Sequence, residues 1–308
     1  MQRTTLGNPL AERVVLAFLL ACLTLIAVHQ DWLWRLDRVI YDSQLRIWTR
    51  SVPDEIIIIA IDEESLEQIG RWPWPRSIHG QLLDRLAGEN PLARAFDVLL
   101  SEPDLNQPEN DVRFAAALAR SHNVFLPVAI EQTRQRGFFS ESLPIPELTI
   151  AATGLGHIHI ELDKDGMARH TYLNEGLGTA RWENINLALL RAGESKRSGT
   201  ANDYRTYSPG TEKISADWVR NTPIMIPYAG PPGHFRRISY HQVISGDFTP
   251  GTFRDKYVLI GATAVGLGDA LPTPVSGNNE PMSGVEINAN ILDTLYRGID
   301  LKPVERIW

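Results

Sequence analysis

Short apolar runs alternate with stretches of helical periodicity through the first half of the chain. Three runs have the length and aliphatic composition of strands buried on both faces: 55–61, 93–100 and 123–130. Between them, Ser77 can cap a helix that ends near Gly88, and residues 114–120 also have a helical pattern. This order of strands and helices predicts an α/β fold with a mostly parallel sheet and crossover helices.

The second half of the chain begins with a different pattern, in which polar and apolar residues alternate at 156–161. A turn at 163–166 and a returning segment at 167–173 predict an antiparallel hairpin, inserted into the α/β domain. The segments predicted after it are a helix at 184–192, a surface loop at 194–203, a buried strand at 256–262 and a helix at 284–296. Together these elements predict one domain over residues 35–301.

The most apolar segment, residues 14–28, carries no charge. Trp32 and Trp34 follow it, as aromatic residues do at a membrane interface. We therefore predict a transmembrane helix over residues 14–34, with a short cytoplasmic N-terminus at 1–13. A buried core helix is the alternative interpretation.

Two further explanations of the apolar segment are weaker. A cleaved signal peptide needs a small-x-small site, which residues 26–29 do not supply. A lipoprotein signal ending at Cys22 does not need the apolar residues that continue beyond it. Because arginines lie on both sides of the segment, the positive-inside rule does not fix its orientation.

The composition belongs to a globular protein rather than a disordered one, with 43% hydrophobic and 22% charged residues in a chain of 308. A net charge of −7 argues against a nucleic-acid-binding protein, which would present a basic face. Cys22 is the only cysteine, so a single chain forms neither a disulfide nor a cysteine metal site. No cofactor is expected.

Acidic or polar residues follow three of the predicted strands, those at 55–61, 93–100 and 256–262. The carboxyl ends of parallel strands meet at one edge of the sheet, where open α/β sheets bind ligands. The candidate ligand-binding residues in these segments are Asp62, Glu63, Asp97, Glu102, Asp104, Thr263, Asp269 and Thr273. Oxygen ligands of this kind can hold a hard cation, whose identity stays unknown, or a polar small molecule. The competing interpretation is helix capping and turn formation.

A second candidate feature lies just before the first predicted helix. Trp72, Trp74 and Arg76 can form an aromatic and cationic wall of a pocket, stiffened by Pro73 and Pro75. The competing interpretation is that these side chains pack over the end of the sheet.

A third candidate feature is the row formed by His157, His159 and Glu161. On a strand, residues two apart share a face, and such a row can contribute zinc ligands. Because nothing nearby supplies the remaining ligands, we interpret it as a solvated strand face.

The glycine-rich segment at 261–268 matches neither a phosphate-binding loop nor a dinucleotide-binding fingerprint. Motifs of serine hydrolases and zinc peptidases are also absent from the sequence. The chain is therefore not expected to be an enzyme.

Several segments in order resemble the second-type CHASE domain (cyclases/histidine kinases associated sensory extracellular domain). They are Tyr41-Asp42, IIIIAIDEES at 56–65, GRWPWPR at 70–76, FDVLLSEPD at 96–104 with Asp111, PYAGPPGHF at 227–235, VLIGATAVGLGD at 258–269 with Thr273-Pro274, and GVEINAN at 284–290. The resemblance covers nearly the whole chain. Asn288 departs from it, because a histidine is common at this position of the family.

The resemblance implies an extracytoplasmic sensor of a bacterial transmembrane receptor, placed in the periplasm after one membrane span and before about three more. A cytoplasmic output domain would follow, such as an adenylate or guanylate cyclase or a histidine kinase, and residues 302–308 would begin the connection to the next span. The expected partners are the inner membrane, an unknown small-molecule or ionic ligand and a second copy in a homodimer, with no nucleic acid.

Two other functions stay open from the residues alone. A membrane-tethered hydrolase could use Asp62, Asp97 and Asp104 with a metal ion. A tethered solute-binding protein would need no output domain.

Overall fold

The computed structural model describes residues 9–29, 34–132, 139–199, 217–268, 270–277 and 280–299. Its centre is a seven-stranded sheet in which β10, β1, β11, β2 and β3 are neighbours in that order and run parallel. Two more strands pair with β3, β5 in parallel and β4 antiparallel. The strands are β1 Ile56–Ile61, β2 Ala93–Asp97, β3 Val124–Gln132, β4 Phe139–Ser142, β5 Gly154–His157, β10 Arg237–Ser239 and β11 Tyr257–Ala262.

Helices cover both faces of this sheet, because its central strands are apolar on both faces. The first face packs on α3 Glu63–Ile69, α4 Arg76–Ala87, α5 Glu109–Ser121, α6 Pro146–Ala151 and α8 Tyr240–Ser245. The second face packs on α7 Ile185–Ser198 and α9 Gly284–Tyr296. In β1, successive isoleucines pack into the two cores in turn, with Ile57 on the first face and Ile58 on the second. The result is a three-layer α/β/α domain.

A second, antiparallel sheet lies beside this domain. It contains β6 Glu161–Leu162, β7 Ala168–Leu177, β8 Trp182–Glu183 and β9 Trp218–Met225. A short ladder of β12 Ala270–Leu271 and β13 Met282–Ser283 completes the strands of the described residues. A third core joins the second sheet to α9 and to α2 Trp34–Ile47, through residues such as Leu45, Ile224 and Ile291.

The predicted N-terminal apolar segment lies in α1 Pro9–His29. Among the described residues, however, no helix combines the length and the apolar character that a membrane crossing requires. The prediction of a transmembrane helix over residues 14–34 is therefore not supported by the structure.

Most of the predicted α/β elements are present, and the differences have local causes. The first crossover helix begins at Arg76 after Pro75, without a side-chain cap, so the cap predicted at Ser77 is wrong. The helix predicted at 184–192 starts after the cap Asn184 and continues to Ser198, so its last turns replace the first part of the predicted surface loop. The rest of that loop, from residue 200, lies outside the described residues.

The antiparallel hairpin is confirmed, because β6 pairs with β7 around the predicted turn. Its first half differs from the prediction. Gly154–His157 leaves the hairpin and joins the main sheet in parallel with β3. One alternating segment therefore divides between two sheets.

Candidate functional site

A cleft lies at the carboxyl end of β11, where the connections of neighbouring strands separate. The chain leaves β1 and β2 for helices on the first face of the sheet, whereas it leaves β11 for α9 on the second face. Open α/β sheets bind ligands at such a change of direction. The cavity there has a volume of about 370 Å³, within the range of small-molecule sites.

The cleft wall is more apolar than polar, and its charged side chains among the described residues are Arg237 and Glu280. It is formed by the segment after β11, which includes Thr263 and Gly266, by Gly233 and Arg237, and by residues around Ser283 at the start of α9. Helix N-termini and glycine-rich backbone present N–H groups, which bind polar or anionic groups of a ligand. The geometry can therefore hold a small molecule that has both an apolar part and a polar group.

Gly261 determines how closely α9 approaches the sheet. A β-carbon at this position would lie 2.7 Å from the Val285 β-carbon and 3.0 Å from that of Asp97, which is too close for any side chain. This glycine thus serves helix packing rather than phosphate binding.

A buried carboxylate, Glu286, holds one wall of the cleft in place. Its side chain accepts hydrogen bonds from the backbone N–H groups of Gly233, at 2.9 Å, and His234, at 3.0 Å, and it also pairs with Arg237. Gly233 has φ +89°, a conformation that favours glycine and turns its N–H toward the carboxylate. The two motifs PYAGPPGHF and GVEINAN therefore meet at the Glu286 carboxylate, a contact that the sequence did not reveal.

Two of the predicted strand-end acids are engaged in structural hydrogen bonds. Asp62 caps α3, since its Oδ1 accepts from the Ser65 N–H at 2.9 Å and from the Ser239 hydroxyl at 2.9 Å. Glu63 accepts from the backbone N–H of Val265 at 3.0 Å and so fixes the loop that lines the cleft. Neither side chain lines the cleft itself.

The other predicted residues of this edge divide into groups. Thr263 lines the cleft. Asp97 is half-buried and lies opposite Gly261 in the parallel register of β2 and β11. Thr273 is buried in a turn and bonds to the Ser276 hydroxyl at 2.8 Å. Asp269 lies outside the described residues.

Glu102 and Asp104 lie in the loop between β2 and α5, near Arg76. Arg76 donates to the Glu102 carbonyl at 3.2 Å, and its Nε lies 3.8 Å from Asp111. Asp104 accepts from the Asn110 side chain and from the Gln107 N–H, and these bonds lower the pKa of its carboxyl group. The Asp104 carboxylate thus closes its own loop, as the capping interpretation predicts.

Trp72 and Trp74 pack against the core of the first face. Trp74 is buried, donates its indole N–H to the Gly70 carbonyl at 2.8 Å and lies 4.9 Å from the Tyr240 ring, centroid to centroid. Trp72 is half-buried and meets Trp74 edge-on at 5.1 Å. Neither indole lines the cleft.

The predicted row of His157, His159 and Glu161 is divided, and its interpretation as a solvated face is wrong. His157 is fully buried, and its Nδ1 lies 3.1 Å from Oε1 of Glu175. The His159 Nδ1 lies 3.2 Å from the other oxygen of that carboxylate, while Glu161 pairs with Arg220. Burial acts to raise the pKa of Glu175, but the two histidines outweigh it and hold that pKa at about 2.

No metal site follows from these acids and histidines. Across the described ranges, no group of three or more His, Cys, Asp or Glu side chains is arranged to hold a metal ion. Asp62 and Asp104, two of the three carboxylates of the hydrolase hypothesis, are bonded to the loops and helices around them.

A buried arginine attaches α2 to the hairpin, and no pattern in the sequence indicates this contact. Arg169 of β7 contacts the carboxylates of Asp42, Asp163 and Asp165 at 2.7–2.9 Å. Burial acts to lower the pKa of Arg169, but these three aspartates outweigh it and raise that pKa above its ordinary value. Asp42 belongs to α2 and the other two aspartates to the hairpin turn, so one guanidinium links the two elements.

The last turn of α2 and the segment that follows it are bonded to the loops around the cleft. Arg46 donates to the Pro274 carbonyl at 2.8 Å, in the connection between β12 and β13. The Arg50 carbonyl accepts from Nε2 of His234 at 2.7 Å, and the Arg50 side chain pairs with Asp293 of α9 at 3.1 Å. The same loops therefore contact α2 and form the surroundings of the cleft.

Comparison with known proteins agrees with the resemblance in the sequence. The family model of the CHASE2 domain matches residues 16–308, which is nearly the whole chain. No curated protein and no solved structure matches significantly. Asn288, the position that departs from the family pattern, is buried and accepts from the Asn186 side chain at 2.8 Å, away from the cleft. The chain belongs to the CHASE2 family of sensory extracellular domains.

Proposed function

We propose that this chain is the sensory input domain of a bacterial signalling protein, that it lies outside the cytoplasm, and that it controls an output domain such as a nucleotide cyclase or a histidine kinase. The family supports the sensory role. In this proposal the signal is a small molecule, with both an apolar part and a polar group, that binds in the cleft at the end of β11.

The observation that carries the proposal is the hydrogen bonding between the cleft loops and the end of α2. Pro274 and His234 lie in loops beside the cleft, and each is hydrogen-bonded to the segment of Arg46 and Arg50. A ligand changes an equilibrium only by interacting differently with its two states. A molecule that binds these loops would have a different affinity for each of two positions of α2, because the loops are bonded to that helix.

Membrane attachment through α1 forms part of the proposal. The large apolar side chains of this helix, from Leu10 to Ile26, are exposed on the described protein surface. Such a surface is favourable in contact with lipid and unfavourable in water. Action as a homodimer is also proposed, since the output modules associated with this family work as pairs.

A thermal-shift screen tests ligand binding in the cleft. Amino acids, sugars, nucleotides and organic acids are added singly to the protein and to Thr263→Trp, in which a large side chain fills the cleft. A ligand at 100 times its Kd should raise the Tm by about 5 °C or more in the wild type and leave this variant unchanged. Leu105→Trp is the control, because Leu105 is exposed and does not line the cleft. Equal stabilisation of all three proteins, or of none, would contradict a ligand site in the cleft.

A further inference from the structure

A second cavity lies at the opposite edge of the main sheet, with a volume of about 470 Å³. It is formed where α4, α5 and α7 end and where β2 and β3 begin. Arg94, Arg120 and Lys196 line it, together with His122 and otherwise neutral residues, and no carboxylate of the described residues does so. The cavity therefore has positive walls in a protein whose net charge is negative.

Arg94 is the most buried of these cations, with 3% of its surface exposed. Its Nη2 donates to the carbonyls of Ser121 and His122 at the end of α5. Its Nε and Nη1 are shielded from solvent and have no hydrogen-bond partner within the described residues. Buried polar groups are nearly always bonded, so two unused donors on one guanidinium need an explanation.

The charge of Arg94 is also uncompensated. Burial lowers the pKa of Arg94 to about 10, with no carboxylate acting against it. Lys196, on the other side of the cavity, is exposed over part of its surface, and its pKa is lowered by partial burial and by the repulsion of Arg94, against which Asp255 acts. Arg120 differs, since it pairs with Asp84 at 2.9 Å.

Helix capping accounts for part of this arrangement. Cations at a helix C-terminus are favourable, and the two carbonyls at the end of α5 use the Nη2 of Arg94. That role needs neither Nε nor Nη1 of Arg94. Lys196 is held at the cavity by its bonds to the Asn90 side chain, at 2.8 Å, and to the Pro91 carbonyl, at 2.6 Å, which use two of its three donors. Burying an unpaired charge is costly unless a partner is supplied.

We propose that this cavity binds a small oxyanion, a carboxylate or a phosphate group, between Arg94 and Lys196. The anion would compensate both charges and accept hydrogen bonds from the guanidinium. The volume is sufficient for a small metabolite that carries such a group. This site is separate from the cleft at the end of β11, with which it shares no lining residue.

Thermal unfolding in inorganic phosphate, in acetate and in chloride at equal ionic strength tests the proposal. The full chain should show a higher Tm in phosphate or in acetate than in chloride, and the effective anion identifies the preferred chemistry. Lys196→Gln should weaken the apparent affinity for that anion about tenfold, because one charged hydrogen-bond donor is lost.

Lys164→Gln is the matched control, because Lys164 is exposed in the hairpin turn, and this variant should respond like the wild type. Arg94→Gln should lose the anion response. If Arg94→Gln does not fold, the comparison of the two lysine variants decides. An equal response of Lys196→Gln and Lys164→Gln, or no difference between the anions and chloride, would overturn the proposal.

Discussion

Two arginines are almost fully buried, and their surroundings are opposite. Arg169, with 1% of its surface exposed, contacts three aspartates at the junction of α2 and the hairpin. Arg94, with 3% of its surface exposed, lies at the amino edge of the main sheet, where two of its nitrogens have no described partner. The neighbouring carboxylates raise the pKa of Arg169, whereas burial lowers the pKa of Arg94.

The contrast between Arg169 and Arg94 distinguishes a buried charge that stabilises the fold from a buried charge that a ligand could compensate. A buried ion pair with satisfied hydrogen bonds holds elements in a defined arrangement, and its loss leaves several charges uncompensated. A buried cation without a counter-charge weakens the fold unless something binds to it. The predictions below measure the two cases against each other.

The largest effect is expected for Arg169→Gln. Three aspartates then lose their cation, so the free energy of unfolding should fall by about 3–5 kcal/mol, which lowers the Tm by about 10 °C. Differential scanning calorimetry measures this. Arg38→Gln is the control, because Arg38 is more exposed and contacts Asp163 at 3.3 Å, so it should cost about 1 kcal/mol or less. Equal losses in the two variants would contradict a structural role for Arg169.

Glu175→Gln should remove a stabilisation that depends on pH. The pKa of Glu175 is about 2 in the folded protein and about 4.3 in an unfolded chain, so the stabilisation is complete above pH 4.3 and disappears as the pH falls toward 2. It amounts to about 3 kcal/mol. Urea unfolding between pH 6 and pH 2.5 should therefore show a steeper loss in the wild type than in the variant. Parallel profiles would contradict the pairing with His157 and His159.

Asp62→Ala should have a smaller effect, about 1–2 kcal/mol, because it removes the cap of α3. Asp62→Asn should retain most of this stability, since an amide oxygen can also cap a helix. Chemical unfolding of both variants measures the difference. Calcium and magnesium should leave the Tm of both variants and of the wild type unchanged. A cation-dependent rise in wild-type Tm that Asp62→Ala removes would restore the cation hypothesis.

The smallest effect is expected for Arg94→Gln in a buffer that contains only chloride. The variant loses hydrogen bonds to the end of α5 but also loses an unpaired buried charge, so the change should stay within about 1 kcal/mol. The same unfolding assay, run beside Arg169→Gln, gives the contrast directly. A loss as large as that of Arg169→Gln would show that Arg94 is compensated in the folded chain.

The local sequence pattern was sufficient to predict the strands that are buried on both faces and the longest regular apolar stripe. The runs at β1 and β11 and the helix at α9 were predicted within a residue, because continuous isoleucine and valine or a regular apolar stripe leave few alternatives. Short elements such as β10 and α3 were not predicted. Their formation depends on contacts with distant segments, as when Ser239 bonds to Asp62.

The candidate site was predicted only in its position at one edge of the sheet. Thr263 does line the cleft, but Glu63 reaches it only through the Val265 N–H. The sequence offered the acidic residues as ligands, yet Asp62 and Asp104 bond to their own loops. The residues that shape the wall, Glu286 and Gly233, are 53 positions apart, and this contact has no local signature.

The placement of this sensory domain outside the cytoplasm is tested most directly with reporter fusions in a bacterial host. Alkaline phosphatase, which is active only after export, and β-galactosidase, which is active only in the cytoplasm, are each fused after Ile299. An extracytoplasmic domain should give phosphatase activity without β-galactosidase activity, and deletion of residues 10–26 should abolish the phosphatase signal. Active β-galactosidase with inactive phosphatase would contradict the proposed location and, with it, the role as an external sensor.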